Sequence, residues 1–267
     1  MTRAHPLRVH GGRLDQAEAL YPAGPRPFLD LSTGINPVAY PVPAIEPAAW
    51  HRLTLARELA ALDVAARAFY GADPATALAI LPGTEIGIRL LPLTLAPRAA
   101  RVGIVAPTYG SHAGAWTAAG VDVIALAHCP TPAEAVAFDV VVIVNPNNPD
   151  GRTAAPEALL ALGRAMAARG GLLVVDEAFG EVAPHLSLLP HGPLPESIVV
   201  LRSLGKFFGL AGARVGFAFG GPARIARLAD PLGDWPIGGP TAEVARAALS
   251  DAVWIEATRG RLAADRS

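Results

Sequence analysis

Short apolar runs rich in β-branched residues recur along the chain from about Leu78 onward, and Ala- and Leu-rich stretches separate them. β-Branched runs favour strands, and their alternation with helical stretches is typical of βαβ units. We predict strands over Val102–Ala106, Val121–Leu126, Val140–Val144, Leu172–Val175, Ile198–Leu201 and Arg214–Phe219. The sequence therefore predicts an α/β fold with a largely parallel, helix-covered sheet.

One segment between these strands shows a clear helical pattern. Pro156–Arg169 places Pro156 in its first turn and carries Leu159, Leu160 and Leu162 on its apolar side. Proline is favoured at a helix start, and the following Gly170-Gly171 is a typical stop signal. We predict a helix here. The Ala-rich stretch Thr241–Ser267 is also helical in pattern.

The part of the chain before the predicted sheet has a different composition. Seven prolines fall within Pro22–Pro47, so this segment is expected to be an extended arm and not a core element. The polar segment Met1–Gly12 has no apolar stretch behind it, which argues against a signal peptide and for a cytoplasmic location.

Composition narrows the function classes. With 267 residues, 52% of them hydrophobic, the chain can bury a large core, but no apolar run approaches the roughly 20 residues of a membrane span. The net charge is −1 and Lys206 is the only lysine, so a basic patch for nucleic acid is not expected. Neither Cys129 nor the histidines show the spacing of a metal site. A small-molecule partner is favoured.

Polar residues follow four of the predicted strands. The segments are Pro107–Tyr109, Asn145–Gly151 (NPNNPDG), Asp176–Phe179 (DEAF) and Ser203–Lys206 (SLGK). In an open parallel sheet, ligands bind at the carboxyl ends of the strands. We therefore expect an aromatic ring, an amide, a carboxylate and an amine to converge on one edge of the sheet.

Each of these segments also has an ordinary explanation. Asn-Asn-Pro-Asp-Gly is good turn chemistry, Asp176 could cap a helix, and Lys206 could be a solvated charge. Lys206, however, lies in Ser203–Gly212, a stretch of small and apolar residues without an acidic partner. Burial there would lower the pKa of its amine and make it a better nucleophile toward a carbonyl.

The order and spacing of NPNNPDG, DEAF, Ser-x-x-Lys and Arg214 resemble those of fold-type-I pyridoxal-phosphate (PLP) enzymes. Within that fold the sequence most resembles the threonine-phosphate decarboxylases of cobalamin biosynthesis, which are similar to histidinol-phosphate aminotransferases. The resemblance runs from His10 to the end of the chain. It rests on His10–Gly12, Leu29–Pro37 (LDLSTGINP), Pro107–Tyr109 with His112 and Trp116, Asp176–Phe179 and Arg202–Leu210 (RSLGKFFGL).

The resemblance implies a large domain with a mostly parallel sheet and helices on both faces. It divides the chain into an N-terminal arm and substrate-side segment (1–50), a PLP-binding large domain (51–240) and the start of a C-terminal small domain (241–267), which is largely missing. In the family that domain carries the arginine that binds the substrate carboxylate, and neither Arg259 nor Arg261 is assigned this role. A homodimer is also implied.

The resemblance further implies PLP as cofactor and a role for each site residue. Lys206 would form the Schiff base and shuttle protons, Asp176 would pair with the pyridinium nitrogen, and Tyr109 would stack on the ring. The cofactor's phenolic oxygen and phosphate would be held by Asn148, by the backbone amides of Gly83, Thr84 and Glu85, and by Ser203 and Arg214. The substrate side would be formed by His10, Gly11, Gly12, Gly34, Asn36 and Asn148.

Phe179 stands where many relatives have tyrosine, so one hydrogen bond to the cofactor's phenolic oxygen is lost, as in the decarboxylase branch. The resemblance thus implies decarboxylation of L-threonine O-3-phosphate to (R)-1-aminopropan-2-ol O-phosphate. Two alternatives remain open. One is transamination of an amino-acid phosphate such as histidinol phosphate, and the other is a truncated, inactive PLP-binding remnant.

Overall fold

The computed structural model describes residues 11–95 and 101–266. The helices of these ranges are α1 (Leu14–Leu20), α2 (Ala56–Tyr70), α3 (Thr84–Thr94), α4 (Gly110–Ala118), α5 (Pro132–Ala135), α6 (Pro156–Ala167), α7 (Pro222–Ala229), α8 (Gly239–Ser250) and α9 (Ala252–Asp265). The strands are β1 (Ala77–Leu81), β2 (Arg101–Val105), β3 (Asp122–Leu126), β4 (Val140–Val144), β5 (Leu172–Asp176), β6 (Ile198–Ser203) and β7 (Gly216–Gly220). None of the described helices is long and apolar enough to cross a membrane.

The strands form one mixed sheet in the order β1-β7-β6-β5-β4-β2-β3. Strand β7 runs antiparallel to both of its neighbours, and the other adjacent strands are parallel. The carboxyl ends of β2, β4, β5 and β6 therefore lie along the same edge. This confirms the predicted α/β fold and places the polar segments that follow these strands together.

Every residue of the interior strand β4 is buried, because helices cover both faces of the sheet. Its alternate side chains enter two separate cores, with Val141 in one and Val142 in the other. Helices α2, α6 and α8 pack on the first face, and α3, α4 and α7 pack on the second. Each fully buried large apolar side chain contributes about 1.5–3 kcal/mol to this packing.

One strand was missed, and one predicted strand begins later than expected. The edge strand β1 was not predicted, because Ala77–Leu81 consists of Ala, Leu and one Ile and lacks a β-branched run. The strand predicted over Arg214–Phe219 begins at Gly216, since Arg214 has a φ of 53° in the left-handed region and ends the preceding turn. The helix predicted to start at Pro156 does so and ends at Ala167.

The N-terminal arm follows an extended course without helix or strand between Tyr21 and Glu46, but part of it belongs to the core. The Tyr40 side chain is buried, and its ring packs edge-on against that of Trp254 at 5.2 Å between centroids. The expectation that the arm contributes nothing to the core was therefore wrong. An apolar side chain in a proline-rich segment still gains free energy when the segment passes over an open core surface.

The C-terminal stretch is helical as predicted, and it is interrupted at Asp251. The Asp251 carboxylate accepts a hydrogen bond from the Trp254 amide at 2.9 Å and caps α9. Helix α8 packs along α2 and contributes Ala245 to the same core. The proposed boundary at residue 241 stays a prediction.

Candidate active site

A cavity opens at the carboxyl edge of β4, β5 and β6, with about 720 Å³ of empty space including its mouth. Every residue that the sequence predicts to hold the cofactor lines it: Gly83, Thr84, Glu85, Tyr109, Asn148, Asp176, Ser203, Lys206 and Arg214. Residues far apart along the chain thus meet at one place.

Lys206 lies in the loop that follows β6. Its Nζ atom is 5.6 Å from the centroid of the Phe179 ring, which forms part of the cavity wall. Burial lowers the pKa of the Lys206 amine, while the charge of Asp176 acts in the opposite direction. The net effect raises the fraction of neutral, nucleophilic amine at a given pH.

Asp176 is the last residue of β5 and is buried at the base of the cavity. Its Oδ1 accepts a hydrogen bond from the Ala178 amide at 3.0 Å, and its Oδ2 lies 2.8 Å from His112 Nε2. Because a carboxylate oxygen accepts, Nε2 of His112 carries the proton in this pair. These two contacts fix the orientation of the Asp176 carboxylate.

His112 contacts Asp176 in the site, and no role for it was predicted from the sequence. It lies on α4 one turn after Tyr109, which precedes the helix, and its side chain is fully buried. Residues three apart on a helix share one face, so the spacing from Tyr109 was the available signal. Its other ring nitrogen, Nδ1, has no hydrogen-bond partner within the described residues.

An anion-binding corner is built where α3 begins. Gly83 precedes the helix with a φ of +85°, and a Cβ atom there would lie 2.7 Å from Nη2 of Arg214. The amides of a first helical turn have no partner within the helix and lie at its positive end. The Thr84 and Glu85 amides and the guanidinium of Arg214 together suit a phosphate.

The loops that carry Asn148 and Tyr109 are tied together by Asn147. Its Nδ2 donates to the Pro107 carbonyl at 2.9 Å, and its Oδ1 accepts from Thr108 Oγ1 at 2.6 Å. The segment NPNNPDG therefore forms a turn, as its sequence suggests, and also lies beside the cavity. The turn holds the residues that follow β2 and β4 at fixed positions beside the cavity.

Tyr109 reaches across the cavity to α3. Its hydroxyl donates to Glu85 Oε2 at 3.3 Å. Burial raises the pKa of the Tyr109 phenol, and the Glu85 charge adds to this effect. The phenol therefore keeps its proton at neutral pH and can act as a hydrogen-bond donor.

A buried ion cluster lies behind the cavity and joins β5 to β6. Arg202 Nη1 donates to Glu177 Oε2 at 2.7 Å, and Nη2 lies 3.3 Å from Glu181 Oε1. The guanidinium carbon is also 4.3 Å from the centroid of the Tyr70 ring. Burial raises the pKa of both glutamates, whereas the arginine charge lowers it. The cluster fixes the two strand ends that carry Asp176 and Ser203.

Of the predicted substrate-side residues near the N-terminus, Gly11 and Gly12 do not line the cavity. His10 lies outside the described residues. Gly11 packs against Ser32, and the Gly12 amide donates to Ser32 Oγ at 2.9 Å. Their proposed contact with substrate stays a prediction.

Gly34 and Asn36 lie closer to the site. A Cβ atom on Gly34 would be 2.8 Å from the Phe179 ring, so the glycine packs directly behind this wall. Asn36 is buried, and its Nδ2 donates to the Phe207 carbonyl at 2.8 Å.

In the part of the chain that the structure describes, no group of three or more His, Cys, Asp or Glu side chains could hold a metal ion.

Comparison with known proteins places this geometry in context. Residues 46–267 match the family model of aminotransferase class I and II. The chain is 43% identical over 243 residues to a threonine-phosphate decarboxylase of Sinorhizobium sp, covering 90% of this chain and 71% of that protein. It is 43% identical over 242 residues to a threonine-phosphate decarboxylase of Pseudomonas aeruginosa, covering 91% of this chain and 71% of that protein.

A solved structure shows the same fold. The histidinol-phosphate aminotransferase from Sinorhizobium meliloti, in complex with pyridoxal-5'-phosphate, superimposes with a TM-score of 0.72 at 23% identity. The match covers 82% of this chain and 61% of that one, so the chain spans less than two thirds of this neighbour. On the family match and the sequence identity, this chain is a member of the aminotransferase class I and II family.

Proposed function

We propose that this chain binds PLP in the cavity and decarboxylates L-threonine O-3-phosphate to (R)-1-aminopropan-2-ol O-phosphate. The observation that carries the proposal is the convergence of Lys206, Asp176 and an anion-binding corner on one cavity. The threonine-phosphate decarboxylases that are 43% identical to this chain support this choice of reaction.

The residues present fit the cofactor. PLP carries an aldehyde, a pyridine nitrogen and a phosphate, which would meet the Lys206 amine, the Asp176 carboxylate and the corner formed by Gly83 and Arg214. Gly83 has a φ of +85°, a conformation that residues with a side chain rarely adopt, and it lies beside the Arg214 guanidinium where α3 begins. When bound, PLP supplies an electron-accepting ring that stabilises charge at the carbon next to the substrate amine.

The residues of the chain would divide the remaining work. The Lys206 amine would hold the cofactor through its aldehyde carbon and, once the substrate amine has taken its place, would deliver a proton to Cα. Asp176, oriented by His112, would keep the pyridine nitrogen protonated. In decarboxylation the bond from Cα to the carboxylate breaks, CO₂ leaves, and the proton from Lys206 takes its place. In transamination Lys206 would instead remove the proton from Cα.

Spectroscopy with product analysis tests the proposal. Purified protein is mixed with PLP and then with L-threonine O-3-phosphate, while visible absorption and CO₂ release are followed together. A cofactor band that changes with substrate and yields CO₂ is the expected result. Pyridoxamine phosphate accumulating in a single turnover would favour transamination, and a stable band without turnover would favour a PLP-binding remnant. Absence of any cofactor band would refute the proposal.

A homodimer is part of the same proposal. Large apolar side chains on the N-terminal arm and the segment after it are strongly exposed: Leu29 (81%), Leu31 (83%), Trp50 (68%) and Leu53 (61%). Apolar surface of this kind favours association with a second copy. Light scattering after gel filtration at several concentrations tests the homodimer.

A cytoplasmic location and a place in cobalamin biosynthesis stay predictions, which cell fractionation and gene deletion would test.

A further inference from the structure

The N-terminal arm runs alongside the loop that carries Lys206. The Asn36 amide donates to the Lys206 carbonyl at 3.0 Å, and the Tyr40 amide donates to the Phe208 carbonyl at 2.9 Å. Between these two bonds, the Asn36 side chain reaches the Phe207 carbonyl through Nδ2. Three successive carbonyls of the lysine loop are thus held by one short piece of the arm.

The two segments are in close contact at their far end as well. Gly209 has a φ of +66°, and a Cβ atom there would lie 2.7 Å from Ala39 Cα and 2.8 Å from the Asn36 carbonyl oxygen. The Gly209 amide also donates back to the Lys206 carbonyl at 3.1 Å. Gly209 therefore has no free space on the side of the arm, so the arm and this part of the loop are in direct contact.

Both ends of the Asn36 carboxamide are used by the protein. Its Oδ1 accepts from the Val38 amide at 3.1 Å and from Arg261 Nη2 at 2.7 Å. Arg261 comes from α9, and its Nη1 is held by Asp265 at 3.0 Å. A buried amide whose donor and acceptor are both satisfied has one fixed orientation. Arg261 and the Val38 amide together fix which way Asn36 presents its NH₂ group, and of these two donors Arg261 is the side chain.

We infer that Asn36 is a positioning residue for Lys206 and that Arg261 orients it. This inference rests on the proposed function, in which the Lys206 amine reacts with the cofactor and the substrate Cα. It assigns Asn36 to the lysine loop and not to the substrate. The reach of a lysine side chain is set by its backbone, and misplacement by about 1 Å can lower a rate by about a hundredfold.

The chain provides a direct readout, because Lys206 is its only lysine. Protein labelled with ¹⁵N at the lysine ε-position gives one side-chain resonance, whose pH titration without PLP reports the pKa of the Lys206 amine. The other charged or titratable groups lining the cavity with Lys206 are Glu85, Tyr109, Asp176 and Arg214. Substitutions at Asn36 and Arg261 leave these four residues unchanged.

The variants are Asn36→Ala, Asn36→Asp and Arg261→Gln, and Arg266→Gln is the matched control at the exposed end of α9. Because a loosened loop admits water, we expect Asn36→Ala and Arg261→Gln to raise the pKa of Lys206 toward its usual value of about 10.4. We expect kcat to fall about tenfold or more with little change in KM. Asn36→Asp keeps an acceptor for Arg261 but loses the donor to Phe207, so it should behave like Asn36→Ala.

An unchanged resonance and pKa in Asn36→Ala, or an Asn36→Asp variant that behaves like the wild type, would overturn the inference. A raised KM with unchanged kcat would also overturn it, because Asn36 would then bind substrate directly. If Asn36→Ala does not fold, Arg261→Gln decides the question, since it leaves the Asn36 bond to Phe207 possible. If wild-type protein binds no PLP, the proposed function fails, while the resonance of Lys206 still decides the role of Asn36.

Discussion

His112 and Asp176 form a buried pair at the base of the cavity, with Nε2 of the histidine 2.8 Å from Oδ2 of the aspartate. The His112 side chain is fully buried, and that of Asp176 is 4% exposed. A carboxylate at this depth keeps its orientation only while its partners are present. The pair therefore connects α4 to the end of β5 at the point where the cofactor's ring nitrogen is proposed to lie.

Replacing His112 with phenylalanine should weaken PLP binding and slow turnover. The substitution keeps a ring of similar shape but leaves Asp176 Oδ2 without its donor. A hydrogen bond to a charged group is worth about 1.5–3 kcal/mol, so we expect a roughly ten- to hundredfold effect. PLP titration followed by absorbance and steady-state kinetics measure it. His128→Gln, at an exposed histidine, is the control. Equal affinity and kcat in His112→Phe and wild type would remove the proposed role.

Lys206→Ala should abolish covalent attachment of PLP without unfolding the chain. The lysine lies in a cavity and contributes little to either core, so its removal should leave the melting temperature almost unchanged. Reduction with borohydride followed by mass spectrometry measures attachment, and in the wild type the label must fall on Lys206. Cofactor attached to Lys206→Ala at the wild-type level would contradict the assignment.

Asp176→Asn should leave PLP binding largely intact but slow the chemistry by orders of magnitude. The amide occupies the same space and can still contact Ala178, but it carries no charge to keep the cofactor's ring nitrogen protonated. Single-turnover CO₂ release with L-threonine O-3-phosphate measures the step. Turnover at the wild-type rate would exclude this role for Asp176.

Arg202→Met should destabilise the fold by about 3–5 kcal/mol at neutral pH, because it leaves Glu177 and Glu181 buried without their cation. Burial raises the pKa of both carboxyls above the unfolded value. Such groups favour the folded state below the unfolded pKa, and this contribution is lost as pH rises through the folded pKa.

The destabilisation by Arg202→Met should therefore be smaller at pH 5 than at pH 8. Urea unfolding of wild type and variant at both pH values measures this difference. Arg26→Met, at an exposed ion pair with Glu18, is the control and should have little effect at either pH. A loss in Arg202→Met that does not depend on pH would show that the two carboxyls are not the source.

Gly34→Ala should impair activity by displacing the Phe179 ring. The added Cβ would lie 2.8 Å from the ring, which must move, and Lys206 Nζ lies 5.6 Å from the centroid of the same ring. We expect kcat/KM to fall about tenfold or more with little change in cofactor content. Gly114→Ala in α4, where a Cβ meets nothing within 4 Å, is the matched control. Equal kcat/KM in Gly34→Ala and Gly114→Ala would contradict this expectation.

Much of the fold and the list of cavity residues could be predicted because they depend on local patterns. Val140–Val144 can only be a strand buried on both faces, and Pro156 with Gly170 brackets a helix. Since parallel strands place their carboxyl ends on one edge, the polar segments after β4, β5 and β6 had to meet. The edge strand Ala77–Leu81 was missed because it has no β-branched run, which is the local pattern that identified the other strands.

The contacts that adjust the site could not be predicted in this way. Asn36 meets Phe207, and His112 meets Asp176, across long stretches of chain. The spacing of His112 from Tyr109 indicates a shared helix face but not Asp176 as the partner, and Asn36 has no such signal. Arg202 gave no signal beyond a charge at the end of an apolar strand. Its burial with two glutamates depends on how β5, β6 and α2 pack together.

The sequence by itself determined the strands with β-branched runs, the residues at their carboxyl ends and the uniqueness of Lys206 as a lysine. These follow from hydrophobic periodicity and from residue identity, which are properties of neighbouring positions. Only the tertiary structure decided which side chains hold Lys206 and Asp176 in place. Those partners are set by the packing of distant segments against one another, because the free energy of burying a polar group depends on the partners that surround it.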